Sequence, residues 1–157
     1  MEGTPSRRAV GRAAVILVAV PAVLIASFLL LFVLNRVAGF LLGGGQGRPE
    51  PYGDPDAFSP VSALRLGLAV ALVLLWPLVA RSRLPDLAKA VLLAAPVGVP
   101  TAALLVTLYD RPALALGTAV ALAVVVAITL VTGRRPWTWM LAASWAWALA
   151  VAYGWPL

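Results

Sequence analysis

The residues most able to create a functional site are two prolines that stand four positions apart in an apolar stretch, Pro96 and Pro100. Each proline lacks a backbone N–H and leaves a helical carbonyl without its usual donor. Inside a bilayer such carbonyls must be buried in protein or line a cavity, and broken helices of this kind form transporter sites. We therefore mark a possible helix break or solute site at Pro96, Gly98, Pro100 and Thr101. The alternative is a plain proline kink whose carbonyls are bonded by Thr101 or by a neighbouring helix.

Residue types that catalyse reactions or bind metals are scarce. The chain has no cysteine and no histidine, which removes thiolate ligands, the usual proton shuttle and the commonest metal ligand. Ser27, Ser82 and Ser144 therefore have no histidine base, and no pair of acids lies at the depth of an active site. We predict that the protein is not an enzyme and holds neither a cofactor nor a metal.

The polar segment 43–60 is the other place where exposed chemistry could occur. It begins with a glycine run and continues rich in proline, a composition typical of a flexible and then semi-extended connection. Its acids do not follow the ligand spacing of a calcium loop. We interpret the segment as a connecting loop, with two alternatives, metal binding by its acids or partner docking through Tyr52, Asp54, Asp56 and Phe58.

Five apolar stretches must position these residues. Hydrophobic residues make up 62% of the sequence and charged residues 11%, against about 45–50% and about 25% in soluble domains. A soluble domain of this size could not bury so much apolar surface, whereas a helix of about 20 apolar residues crosses a bilayer. The sequence predicts an all-α polytopic membrane bundle with five transmembrane helices, at about 13–34, 61–80, 87–108, 113–132 and 137–155.

Basic residues decide the predicted orientation. Segment 1–12 is basic and expected to be cytoplasmic, and the apolar run after it is too long for a removed signal peptide. With the N-terminus inside, eight basic residues lie on the inner side and four on the outer side, as the positive-inside rule favours. The charge of +6 is thus attributed to membrane orientation and not to nucleic-acid binding. Segment 13–157 forms one transmembrane domain with an external loop and an external C-terminus.

Small residues at spacing four predict how the helices pack. In lipid, helices associate through close backbone approach and not through burial of leucine. Such seams occur in the last four predicted spans, and the longest is in the fifth: Ala142, Ala146, Ala150 and Gly154. Trp145 and Trp147 lie near this seam, too deep for an interfacial belt, and are interpreted as packing residues or as the lining of a ligand cavity.

These features favour a non-catalytic accessory or assembly subunit of a larger membrane complex. Its partners would be the lipid bilayer and other membrane subunits or a second copy, in the plasma membrane, and the alanine- and arginine-rich composition suggests a bacterial inner membrane. The first alternative is a small transporter or channel component for a neutral or apolar solute, and the second is a binder of a hydrophobic ligand. The subunit hypothesis predicts an exposed face of small residues, whereas the transporter hypothesis predicts a polar cavity beside Pro96 and Thr101.

The predicted orientation can be tested with one introduced cysteine. We expect S82C to react only with reagents that enter the cytoplasm, because Ser82 lies in the inner connection between the second and third spans. The chain has no native cysteine, so labelling has no background. Modification of S82C in intact cells by a membrane-impermeant maleimide would contradict this orientation.

Overall fold

The computed structural model describes residues 7–42, 60–108 and 111–154, and within these ranges the chain is helical, without strands. This confirms the all-α class. The helices are α1 (Arg7–Leu42), α2 (Pro60–Arg81), α3 (Asp86–Leu92), α4 (Ala94–Thr107), α5 (Pro112–Thr132) and α6 (Trp137–Gly154). Helices α3 and α4 form one nearly continuous rod, because Leu93 between them keeps helical dihedrals, φ −60° and ψ −20°. Its N–H donates to Lys89 O at 3.0 Å.

Three stretches in the described part of the chain are long and apolar enough to cross a membrane. They are Arg7–Leu34 in α1, Asp86–Thr107 in the α3–α4 rod and Pro112–Thr132, which is α5. The apolar part of α2 at Gly67–Arg81 is shorter. Helix α6 has 18 residues, which corresponds to a length of about 27 Å. The helices are therefore compatible with a membrane location.

Helix α4 lies at the centre of the bundle. It contacts α1, α2, α5 and α6. In the most apolar part of the α3–α4 rod 61% of the residues are buried, compared with 17% in the corresponding parts of α1 and α5. Pro100 of α4 is therefore buried and Pro96 half-buried, whereas α1 and α5 present most of their surface outward.

Small residues allow α6 to lie close against α4. A Cβ atom added at Gly154 would lie 3.0 Å from the Leu105 Cβ and 3.6 Å from the Ala102 Cα. Contacts this short mean that a side chain at position 154 fits only if Leu105 shifts by a few tenths of an ångström. The seam residues of α6 are all buried: Ala142, Ala146, Ala150 and Gly154.

Three helices meet at Gly98 of α4. A Cβ atom there would overlap the Leu24 Cδ2 of α1 and would lie 3.4 Å from the Ala146 carbonyl oxygen of α6. Leu24 is itself 3% exposed, so its side chain has little space into which it can move. The absence of a side chain at Gly98 therefore sets the separation of α1, α4 and α6.

Side chains bond the last carbonyls of α2. The Ser82 hydroxyl donates to Val79 O at 2.6 Å, and the Lys89 ammonium donates to Ala80 O at 3.1 Å. A cation at a helix C-terminus is also favoured by the helix dipole. Lys89 thus connects the end of α2 to the start of the α3–α4 rod.

Helix α5 ends in a Schellman motif with arginine at the left-handed position. Arg134 has a φ of 47°, and its N–H donates to Val131 O at 3.0 Å, while the Arg135 N–H donates to Leu130 O at 3.1 Å. Glycine usually occupies the left-handed position, but here Gly133 precedes it. The left-handed conformation costs about 1–2 kcal/mol for a residue that has a Cβ atom.

Substitution of Gly98 tests the three-helix contact. Alanine in place of glycine normally stabilises a helix by about 1 kcal/mol, and we expect that gain for G67A, because a Cβ at Gly67 meets nothing within 4 Å. We expect G98A to be less stable than G67A by about 1–3 kcal/mol, because of overpacking against Leu24. Unfolding in mixed micelles, followed by circular dichroism, measures the difference. The second change L24V should recover part of the loss, and equal stabilities of G98A and G67A would contradict the contact.

Candidate functional site

The residues of the possible helix break lie in the centre of the bundle. Gly98, Pro100 and Thr101 are buried, and Pro96 is half-buried. The Thr101 hydroxyl donates to Val97 O of its own helix at 2.7 Å. Helix α4 runs without interruption from Ala94 to Thr107, so Pro100 removes a backbone donor but does not unwind the helix. The α3–α4 rod departs from regular α-helix at Leu93, three residues before Pro96.

A small apolar cavity lies between α2 and α4, next to Pro100. Its volume is about 220 Å³. It is lined by Ala69, Val70, Val73, Leu74, Pro100 and Leu104. None of these side chains carries a hydrogen-bonding group, so the cavity suits an apolar group and offers no ligand to an ion.

A larger cavity lies where α4, α5 and α6 meet, and we call it the α5–α6 cavity. Its volume is about 400 Å³, within the usual range for small-molecule sites. Its lining residues are Val97, Ala123, Val126, Ala127, Leu130, Met140, Ala143, Ser144, Trp147 and Ala148. Four alanines give the cavity its width, and Ser144 and Trp147 supply its polar side-chain atoms. Exposed Ser144 and Ala148 mark where it opens outward.

Trp147 both borders this cavity and joins two helices. Its indole N–H donates to the Ala119 carbonyl of α5 at 2.9 Å. The ring is half-buried and forms part of the cavity wall. The hydrogen bond fixes the tryptophan in place, so the cavity wall on this side is preorganised.

Trp145 supplies a hydrogen bond that proline removes from α1. Pro21 has no N–H to donate to the carbonyl four residues earlier, which is Leu17 O. The Trp145 indole N–H of α6 donates to this carbonyl at 3.3 Å. The sequence does not reveal this role, because no local pattern relates residue 145 to residue 17. Pro21 does indicate that the carbonyl four residues earlier needs a donor, but not which residue supplies it.

An aromatic cluster joins α2 and α6 near the two basic turns. The Trp76 and Trp139 rings meet edge to face with centroids 5.4 Å apart. The Arg135 guanidinium lies 4.6 Å from the Trp139 ring centroid, a cation–π distance. Trp139 is 1% exposed, and its indole N–H has no hydrogen-bond partner among the described residues. The cluster brings the α2–α3 turn and the α5–α6 turn to the same end of the bundle.

A second row of small residues is exposed on α5. Ala113, Gly117 and Ala121 are all exposed at spacing four, and a Cβ added at Gly117 would meet nothing within 4 Å. We call this row the outer α5 face. It is distinct from the inner row of small residues on α5, in which Ala119 is buried while Ala123 and Ala127 border the α5–α6 cavity.

The remaining candidates give no further site in the described ranges. No group of three or more acidic, histidine or cysteine side chains that could hold a metal occurs in the described part of the chain. The predicted docking residues Tyr52, Asp54, Asp56 and Phe58 lie outside the described residues.

No protein-family model, curated protein or solved structure matches the chain. Function is therefore inferred from the geometry of the helices, the cavities and the exposed faces.

A double-mutant cycle tests the hydrogen bond between α6 and α1. We expect W145F to lower the free energy of unfolding by about 0.5–1.5 kcal/mol, because the Leu17 carbonyl loses its donor. In the P21A background the backbone N–H restored at position 21 bonds this carbonyl, so the contribution of Trp145 should shrink. Unfolding free energies of the four chains give the coupling. W147F serves as the control, and an equal cost of W145F in both backgrounds would contradict the bond.

Proposed function

We propose that the protein is a multi-pass plasma-membrane protein that acts as a non-catalytic accessory or assembly subunit of a larger membrane complex. The observation that carries the proposal is the outer α5 face, where Ala113, Gly117 and Ala121 form an exposed row. Small residues of this kind allow two membrane helices to approach closely. We propose that a helix of another membrane subunit packs there.

The exposed surface supports a membrane location. Large apolar side chains are highly exposed on peripheral helices, with Val18 at 73%, Leu74 at 70% and Val131 at 65%. Water-soluble monomers rarely expose continuous apolar surface of this extent, and lipid removes the penalty. We propose five membrane crossings, made by the three long apolar stretches together with α2 and α6.

The ends of the bundle support an internal N-terminus and an external C-terminus. The turn with Arg81 and Arg83 and the turn with Arg134 and Arg135 lie at one end, connected through the Trp76–Trp139 contact. Toward the other end, Phe28 of α1 stacks on Tyr153 of α6 with centroids 4.9 Å apart. Two basic turns on one side fit the positive-inside rule, which supports assigning this end to the cytoplasm. The assignment to a bacterial inner membrane rests on the amino-acid composition of the chain alone.

The cost of a glycine on an exposed helix surface supports docking on α5. Glycine inside a helix is less favourable than alanine by about 1 kcal/mol, and a Cβ atom added at Gly117 would meet nothing within 4 Å, so no contact in the described part of the chain requires glycine there. A partner helix that packs against this position would provide the missing contact. The transporter alternative has less support, because both cavities beside α4 have mainly apolar linings.

Enlargement of Gly117 tests the docking proposal. The tagged chain is purified from native membranes in mild detergent, and co-purifying proteins are quantified by mass spectrometry. We expect stoichiometric membrane partners, and we expect G117L to reduce their recovery at least about fivefold, since a clash of about 1–3 kcal/mol lowers affinity about 5- to 150-fold. A free energy of unfolding of G117L no lower than that of the wild type would show that its bundle is intact, since loss of the helical glycine should if anything stabilise α5.

The matched control is A22L, which makes a similar enlargement at an exposed position of α1 and should leave recovery unchanged. A stable wild-type chain that purifies without stoichiometric partners would contradict the subunit proposal. Equal losses with G117L and A22L would contradict the assignment of docking to α5.

A further inference from the structure

We infer that the α5–α6 cavity binds an acyl chain of an anionic membrane lipid, with Arg134 at its cytoplasmic end holding the headgroup. The inference rests on the membrane location proposed above, but it does not depend on a protein partner. It assigns a ligand to the cavity through three independent features: an apolar channel of suitable shape, a cation at its end and a free hydroxyl within it.

The extent of the cavity along two helices suits an acyl chain. Its lining runs from Ala123 to Leu130 along α5 and from Met140 to Ala148 along α6, lengths of about 10–12 Å at the helical rise. Alanines on both helices leave this space open. A polymethylene chain fills such an elongated apolar space, and its burial is favoured for each methylene.

One end of the cavity adjoins a cationic turn. Leu130, which lines the cavity, accepts the hydrogen bond of the Arg135 N–H, so the α5–α6 turn caps this end. Arg134 in that turn is exposed, whereas the Arg135 guanidinium is occupied above the Trp139 ring. Arg134 is thus the cation available to a phosphate headgroup, and guanidinium groups bind phosphate oxygens in bidentate fashion.

The backbone at Arg134 argues for a role beyond ending the helix. Its left-handed conformation, φ 47°, suits glycine better than arginine. A charged side chain kept at a strained position points to a function for that side chain. Headgroup binding supplies one, since a basic residue near an anionic lipid surface strengthens binding.

A free hydroxyl lies farther along the cavity. Serine and threonine side chains in α4 and α5 donate to carbonyls of their own helix, as Thr101, Thr118 and Thr129 do. Ser144 lines the cavity and makes no such bond in the described part of the chain. Its hydroxyl is therefore available to the bound lipid, and its position makes it a convenient site for blocking the cavity.

Quenching of tryptophan fluorescence by brominated lipid tests the site in the purified full chain. Trp147 forms part of the cavity wall, so a brominated acyl chain in the cavity quenches it by contact. The chain in non-ionic detergent micelles is titrated with dibrominated phosphatidylglycerol or dibrominated phosphatidylcholine. We expect saturable quenching, with half-saturation about fivefold lower for phosphatidylglycerol, because one basic residue contributes that much near an anionic headgroup. W147F should lose most of the saturable component.

Variants separate the cavity from the headgroup site. S144L should abolish saturable quenching by both lipids, A148L repeats the block at an adjacent position, and A22L on α1 should not change the quenching.

R134N should remove the preference for phosphatidylglycerol, and R134K should largely retain it. R83Q, a loss of charge at another exposed turn, should leave the preference intact. R134G should lose the preference yet raise the midpoint of thermal unfolding, which a purely structural arginine would not do.

Three results would overturn the inference. They are quenching that rises without saturation, equal affinity for the two lipids, and binding insensitive to both S144L and A148L in folded protein. The test uses isolated protein, so failure to recover partners from native membranes leaves it unaffected. Extraction of the chain from membranes by alkaline carbonate would contradict the membrane location itself, and with it both proposals.

Discussion

The close approach of α4 and α6 is the constraint on which the rest of the bundle depends. Alanine and glycine on α6 lie against Gly98 and Ala102 on α4, so the two helices nearly touch. A side chain added at Gly98 would also meet Leu24, so the position of α1 follows from the same contact. In lipid, where burial of leucine gains little, such packing is the main source of helix association.

The prolines and tryptophans form a second, coupled system. Proline leaves carbonyls unpaired in helices, and an indole N–H needs an acceptor when it is buried. Trp145 meets both requirements, because its indole N–H donates to Leu17 O. The Trp147 indole N–H donates to Ala119 O in α5. Helix α6 therefore packs against α4 through its small residues and is fixed to α1 and α5 through its tryptophans. The orphan N–H of Trp139 is an exception in the described part of the chain.

Because one side of α5 packs toward α4 and α6, the helix has an inner and an outer row of small residues. Its inner row borders the α5–α6 cavity, and its outer row includes exposed Gly117. We propose a lipid chain for the first and a partner helix for the second. A bound lipid would support the α5–α6 pair from within, so the two proposed contacts act on one peripheral helix without competing for the same surface.

Composition and length were sufficient to predict an all-helical chain with long apolar helices. Spacing alone could not predict which small residues face inward, because an alanine-rich helix shows spacing of four on several faces. Gly67 and Ala71 of α2 are exposed, whereas Ala142 and Ala146 of α6 are buried. The Trp145–Leu17 bond joins residues 128 positions apart, and no local pattern contains that information. The cavity likewise depends on how three helices diverge, which the sequence does not state.

Disulfide formation in native membranes tests the central α4–α6 contact most directly. A Cβ atom at residue 154 lies 3.6 Å from the Ala102 Cα, so A102C with G154C places two thiols within bonding reach. We predict rapid cross-linking of this pair under mild oxidation in carbonate-washed membranes, and little for A102C with A152C, since Ala152 is exposed. No cross-link in the first pair, or equal cross-linking of both pairs, would contradict the close approach of these two helices.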